Sequence, residues 1–184
     1  MPELPNFRDQ IHDTVKLPFL ALILLIAASA CGQKDIPTTD AFTISGKVKA
    51  ERTVTLKDLS AYPSVEVGDV QITNHKGDAR NPANRVKGVL VKDILEKVEF
   101  LSESPRELSE FYLTFIATDG YKAVFSWNEL FNSETGNHAF IITEIDGKSG
   151  AQMDNRIALI TPTDFRTGRR YVKGLARIVV GRVE

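Results

Sequence analysis

Gly168-Arg-Arg-Tyr-Val-Lys-Gly-Leu175 joins a basic loop to the last apolar run of the chain. From Tyr171 to Val180 the run is rich in Val and Ile and reads as a strand. The loop ahead of it, Pro162-Thr-Asp-Phe-Arg-Thr-Gly-Arg-Arg170, follows another apolar segment at residues 157–161, and residues 138–145 form a third. Both segments have the length and composition of buried strands.

The same pattern continues toward the N-terminus. Residues 111–118 and 121–126 flank Asp119-Gly120, a hairpin signal, and Trp127-Asn-Glu-Leu-Phe131 after them reads as a helical turn. Residues 89–98 carry apolar side chains at 90, 91, 94, 95 and 98, which predicts a helix ending before Ser102. Val65, Val67, Val70 and Ile72 predict a strand, followed by a polar loop at residues 74–85. Residues 41–49 and 52–56 predict two more strands, and residues 55–63 a helical turn stopped before Pro63. Many short strands and a few brief helices define an α+β domain, mainly β.

Ahead of that domain, residues 17–30 form an apolar run too short for a bilayer-spanning helix, which takes roughly 20 residues. Arg8 and Lys16 precede the run, and Ala28-Ser29-Ala30 leads into Cys31. This pattern resembles the signal peptide and lipobox of bacterial lipoproteins. Residue 28 is Ala where Leu is commonest, and Glu3, Asp9 and Asp13 make the leader less basic than usual. The resemblance implies removal of residues 1–30 and diacylation of Cys31. Residues 31–40 then form the acylated tether and residues 41–184 the domain. It also implies an exported protein on the periplasmic side of the inner or outer membrane, or at the cell surface.

Composition narrows the chemistry. The whole chain has a formal charge of -1, and loss of residues 1–30 brings it to zero, so no global field favours nucleic acid. Cys31 is the only cysteine. Once it carries lipid, the domain has no thiol for a disulfide, a nucleophile or a metal. His75 and His138 are far apart and lack a carboxylate at ligand spacing, which makes a poor metal signal. Ser126 has no evident catalytic partner, and no Gly-x-Ser-x-Gly elbow occurs.

Five segments in order carry a family resemblance: Val54-Thr-Leu-Lys-Asp-Leu59, Val86-Lys-Gly-Val-Leu-Val-Lys-Asp-Ile-Leu95, Thr118-Asp-Gly-Tyr121, Ile157-Ala-Leu-Ile-Thr-Pro162 and Gly168 to Leu175. Together they resemble the molybdopterin-binding domain of the sulfite oxidase family, over roughly residues 43–181. In the last motif Gly168, Arg170, Val172, Lys173 and Leu175 match, while Gly174 stands where the family has Trp. The resemblance places Arg170 and Lys173 on the pterin cofactor and its phosphate. It also places a molybdenum-ligating Cys after the strand that ends near Ile72, where this chain reads Ile72-Thr-Asn-His-Lys-Gly-Asp-Ala-Arg80. Without that thiolate, sulfite oxidation is not expected.

The expectation is therefore a non-catalytic, tethered binding protein for a pterin-like or molybdopterin-like small molecule, signalling to a membrane partner. The alternative is an oxidoreductase component that holds molybdopterin without a Cys ligand, served by a redox partner. A third reading is an interaction module with a vestigial pocket. If the family fold holds, the loop with Asn74, His75, Lys76, Arg80 and Arg85 and the loop with Asp164, Arg166, Arg169, Arg170 and Lys173 border the pocket. Converging cations suit an anion, and Asp164 suits the guanidine-like edge of a pterin. Trp127 has the aromatic face on which such a ring stacks, or else it packs the hairpin.

Overall fold

Alternation makes the first strand: in β1 (Ala41–Gly46) Phe42 and Ile44 are buried while their neighbours reach toward solvent. The computed structural model describes residues 36–184; the expected signal segment, Cys31 and the first residues of the tether lie outside the described residues.

Among the described residues eleven strands form two sheets. β2 (Arg52–Thr55), β5 (Phe111–Ala117), β6 (Lys122–Ser126) and β11 (Leu175–Arg182) join β1 in the order β2-β1-β11-β5-β6. β1 and β11 run parallel, with Thr43 opposite Arg177 and Gly46 opposite Val180. The second sheet has the order β10-β9-β7-β4-β3, built from β3 (Val65–Val70), β4 (Ala83–Leu90), β7 (Phe140–Ile145), β9 (Ala158–Ile160) and β10 (Val172–Lys173). β8 (Lys148–Ser149) pairs with the far end of β7. Among the described residues three short α-helices complete the frame: α1 (Leu56–Leu59), α2 (Val91–Leu95) and α3 (Trp127–Phe131). The fold is α+β and mainly β. Among the described residues no helix is long and apolar enough to cross a membrane.

The sheets face each other across one core, in which Phe42, Ile44, Leu113, Phe115, Phe125 and Ile178 meet Val89, Ile141, Leu159 and Val172. The opposite face of the second sheet is buried as well, where Val86, Phe140, Ile142 and Ile160 pack with Met153. This explains why Phe140, Ile141 and Ile142 are consecutive apolar residues: a strand covered on both faces loses the alternation of a half-exposed one.

Three expectations change. The helix expected over residues 89–98 is confined to α2, because Val89 and Leu90 end β4, and the polar loop after Ile72 stops at Ala83. A bulge hid β4: Val70 pairs with Ala83 but Gly68 with Val86, so Asn84 and Arg85 form an extra step, with Arg85 at φ 50°. The hairpin at Asp119-Gly120 is present as β5 and β6. A second one, at Asp146-Gly147, joins β7 to β8 with positive φ at both residues, the two-residue turn whose twist suits a hairpin.

The third change is the last strand, which divides at Gly174. Val172 and Lys173 pair with β9 in one sheet, and Leu175 onward pairs with β5 and β1 in the other. Gly174 has φ +62°, and a Cβ there would lie 2.8 Å from the Pro37 carbonyl oxygen and 2.9 Å from Thr118 Oγ1. Left-handed backbone costs about 1–2 kcal/mol for a side chain with a Cβ, and the crowding adds to it. Gly174→Ala is expected to destabilise the domain by about 2–4 kcal/mol in urea unfolding, with the unfolding slope unchanged.

Candidate functional site at the loop edge

Three loops meet where the chain crosses between the sheets: residues 71–80 after β3, residues 118–121 in the β5–β6 hairpin, and residues 161–171 after β9. Thr167 joins the first to the third. Its buried hydroxyl accepts from the Thr73 amide at 2.9 Å and donates to the Gln71 carbonyl at 3.0 Å. Gly168 packs so closely on the Thr73 carbonyl that no Cβ fits between them. Tyr121 joins the second loop to the third by donating its hydroxyl to the Arg169 carbonyl at 2.7 Å. The His75 ring lies 5.6 Å from the Tyr121 ring, which brings the first loop against the second.

Arg170 is the most connected side chain of the cluster. Its Nε donates to Asp164 Oδ2 at 2.7 Å, a second guanidinium nitrogen pairs with the other oxygen of the same carboxylate, and Nη1 donates to Glu129 Oε1 at 2.9 Å. The guanidinium carbon lies 4.3 Å from the centre of the Phe125 ring. Hydrogen bonding to Asp164, helped by both carboxylate charges and opposed by burial, raises the Arg170 pKa above its ordinary value and keeps the group charged. Glu129 works twice: Oε2 accepts from the Ser126 amide at 2.8 Å, closing the capping box of α3, while Oε1 holds Arg170. Asp164 and Arg170, both expected at a ligand, thus face each other and tie the loop to α3.

The remaining expected residues divide into two groups. Asn74 shapes its own loop: Oδ1 accepts from the amides of Lys76, Gly77 and Asp78, each at 2.9 Å. Trp127 is half-buried, stacks on Phe131 with centroids 5.0 Å apart, and packs on the main core. Two residues further along α3 is about 200° around the helix, so Glu129, not Trp127, lies on the side that Arg170 reaches. By contrast, His75, Arg80 and Arg166 are exposed, and the Arg166 stem lies against Gly77. Lys173 is half-exposed, with Nζ 5.0 Å from the centre of the Tyr171 ring. Lys76, Arg80, Arg166, Arg169 and Lys173 form no ion pair with a carboxylate among the described residues.

Tertiary packing adds features with no sequence signal. Thr161, at the end of β9 below the loops, is fully buried, and its Oγ1 has no hydrogen-bond partner among the described residues. On the outer face of the second sheet a cavity of about 90 Å³ is lined by Ile142, Met153, Arg156 and Tyr171, among others. It is small against the roughly 300–1,000 Å³ of ordinary ligand sites. Among the described residues no group of three His, Cys, Asp or Glu side chains is arranged to hold a metal.

No family model matches this chain, and no curated protein is similar to it in sequence. Its fold, a mainly β pair of sheets, is shared with solved structures. One of them is the sulfane dehydrogenase SoxCD from Paracoccus pantotrophus, at 13% identity with a TM-score of 0.59. The likeness covers 79% of this chain and 40% of that one, so this chain spans less than half of the larger protein.

Two outcomes follow from the site. Arg170→Ala leaves Asp164 and Glu129 without their shared cation and is expected to cost about 2–3 kcal/mol in chemical unfolding, with Arg170→Lys recovering only part because it lacks the planar fork. Burial raises the Tyr171 pKa, with the Asp146 charge adding to it. Its neutral form is therefore favoured by folding, a contribution present below the unfolded tyrosine pKa of about 10 and lost as pH rises through the higher folded value. Thermal melts above pH 10 are expected to fall less steeply for Tyr171→Phe than for the parent protein.

Proposed function

We propose that this chain is a membrane-tethered, non-catalytic binding protein for a pterin-like small molecule carrying an anionic group. In this reading the ligand sits at the edge where residues 71–80, 118–121 and 162–173 meet, and Cys31 carries the lipid anchor. The observation that carries the reading is the convergence of the two basic loops on Thr167, with Arg166 and Lys173 free of carboxylate partners among the described residues. His75 beside Tyr121 adds an aromatic face next to those cations. The order of sequence motifs supports a pterin, and the likeness to SoxCD supports the fold on which such a site is built.

Molybdenum does not fit the donor set. Cys31 is the only cysteine, and where the family resemblance places the ligating thiolate, Thr73 is held to Thr167 and Asn74 to its own turn. The oxidoreductase reading is ranked second for that reason. Binding through Arg170 and Asp164 requires their ion pair to open, whereas Arg166, Lys173 and His75 need no such change. The Arg170–Asp164–Glu129 closure favours one other reading, an interaction module whose pocket the chain has filled with its own side chains. In the binding reading, occupancy of the loops is what a membrane partner senses.

Mass spectrometry of small molecules released by mild denaturation of native protein separates these readings. A pterin is expected, with Arg166→Ala combined with Lys173→Ala lowering its retention at least tenfold. Release of nothing from the parent protein, with no pterin binding by calorimetry, overturns the binding reading and leaves the interaction module. Molybdenum near one atom per chain by elemental analysis moves the assignment to the oxidoreductase.

A further inference from the structure

We propose that the tip of this loop edge is the surface by which the domain rests on an anionic phospholipid bilayer. Phe165 lies among the headgroups and upper acyl chains, and Arg166, Arg169 and Lys76 meet phosphate. The inference rests on the lipid tether of the functional reading and shares Arg166 with its ligand site, and the test reads lipid contact rather than ligand retention.

Phe165 is fully exposed, at 103% relative accessibility, the most exposed of the large apolar side chains among the described residues. It stands in a loop held firmly from both sides, by Asp164 to Arg170 and by Thr167 to Gln71 and Thr73. A phenyl ring fixed in water on a rigid loop gains by moving into an interface, and little ordering of the loop is required to place it there. The three loops that meet here carry Lys76, Arg80, Arg166, Arg169 and Arg170 against Asp78, Asp119 and Asp164, a surplus of positive charge. Arg166 and Arg169 follow in the same loop, and Lys76 sits beside Gly77, against which Arg166 lies. All three are exposed and unpaired with carboxylates among the described residues. The carboxylate within the loop, Asp164, is already neutralised by Arg170. The local field is thus positive on a chain with no net positive charge.

The start of the described chain lies on this same edge. The Pro37 carbonyl accepts from Thr118 Oγ1 and packs beside Gly174, and Thr118 is three residues from Tyr121, which is bonded to Arg169. Five Cα steps separate Cys31 from Ile36, which reach at most about 18 Å when fully extended. A lipid on Cys31 therefore keeps this edge of the domain close to the headgroups, where one weak apolar contact and a few cations are enough to orient it.

The test uses the full-length lipidated protein in vesicles of brominated phosphatidylcholine with phosphatidylglycerol. In Phe165→Trp the new indole is expected to emit at shorter wavelength than in detergent-free buffer and to lose at least half its intensity to the brominated chains. Trp127, half-buried in the core, serves as the internal reference for folding and is expected to remain unquenched. Adding Arg166→Glu and Arg169→Glu, or replacing phosphatidylglycerol with a zwitterionic lipid, is expected to abolish most of that quenching while the protein still floats with the vesicles. Flotation with an unquenched, water-exposed indole overturns the docking surface and leaves the tether standing. Failure to float in high salt, with the same result for Cys31→Ser and the parent, overturns the tether and the docking surface with it.

Discussion

Everything at the loop edge depends on one crossover, the step at Gly174 from the second sheet into the first. The residues before it belong to β10 and those after it to β11, so the same few peptide bonds close both sheets and hold the loop at residues 161–171 over their junction. The Thr118 amide donates to the Gly174 carbonyl at 2.9 Å, which brings the β5–β6 hairpin to the same point. The Pro37 carbonyl occupies the space that a side chain at 174 would need. The chain's own entry segment thus packs where a side chain at 174 would lie.

The charged groups follow from that frame. A loop anchored at both ends by buried contacts can hold an arginine in one orientation, and Arg170 is held by two carboxylates and the face of Phe125. An ion pair of this kind is weak evidence for net stability, since desolvation offsets much of the attraction, yet it fixes geometry well. Its effect is to connect α3 to the loop, with Glu129 shared between a helix cap and the guanidinium. The cations left over, together with His75 and Phe165, point outward and are the groups available to a ligand or a lipid surface.

Much of this was legible before any coordinates. The strands at residues 41–46, 65–70, 111–117, 122–126 and 140–145 follow from short apolar runs and turn chemistry, as does the helical turn at Trp127–Phe131. β4 was not, because a bulge at Asn84 and Arg85 puts two polar residues into a central strand. The two basic loops were readable as neighbours only through the order of motifs. Nothing in the sequence distinguishes Arg170, which is paired, from Arg166, which is not, because both are arginines in one loop and their partners lie in different elements. Trp127 shows the same limit: its place on α3 is readable, whereas its stacking on Phe131 is set by where the core lies.

The sequence by itself determined the mainly β class, the absence of a second thiol, the resemblance of the leader to a lipoprotein signal and the clustering of cations in two loops. These are properties of composition and short-range pattern, which do not require knowing which segments touch. The tertiary structure decided which polar groups are satisfied within the chain and which remain outward. That division depends on contacts between residues as distant as Glu129 and Arg170 or Thr73 and Thr167, and a hydrogen bond across such separations exists only once both sheets have closed.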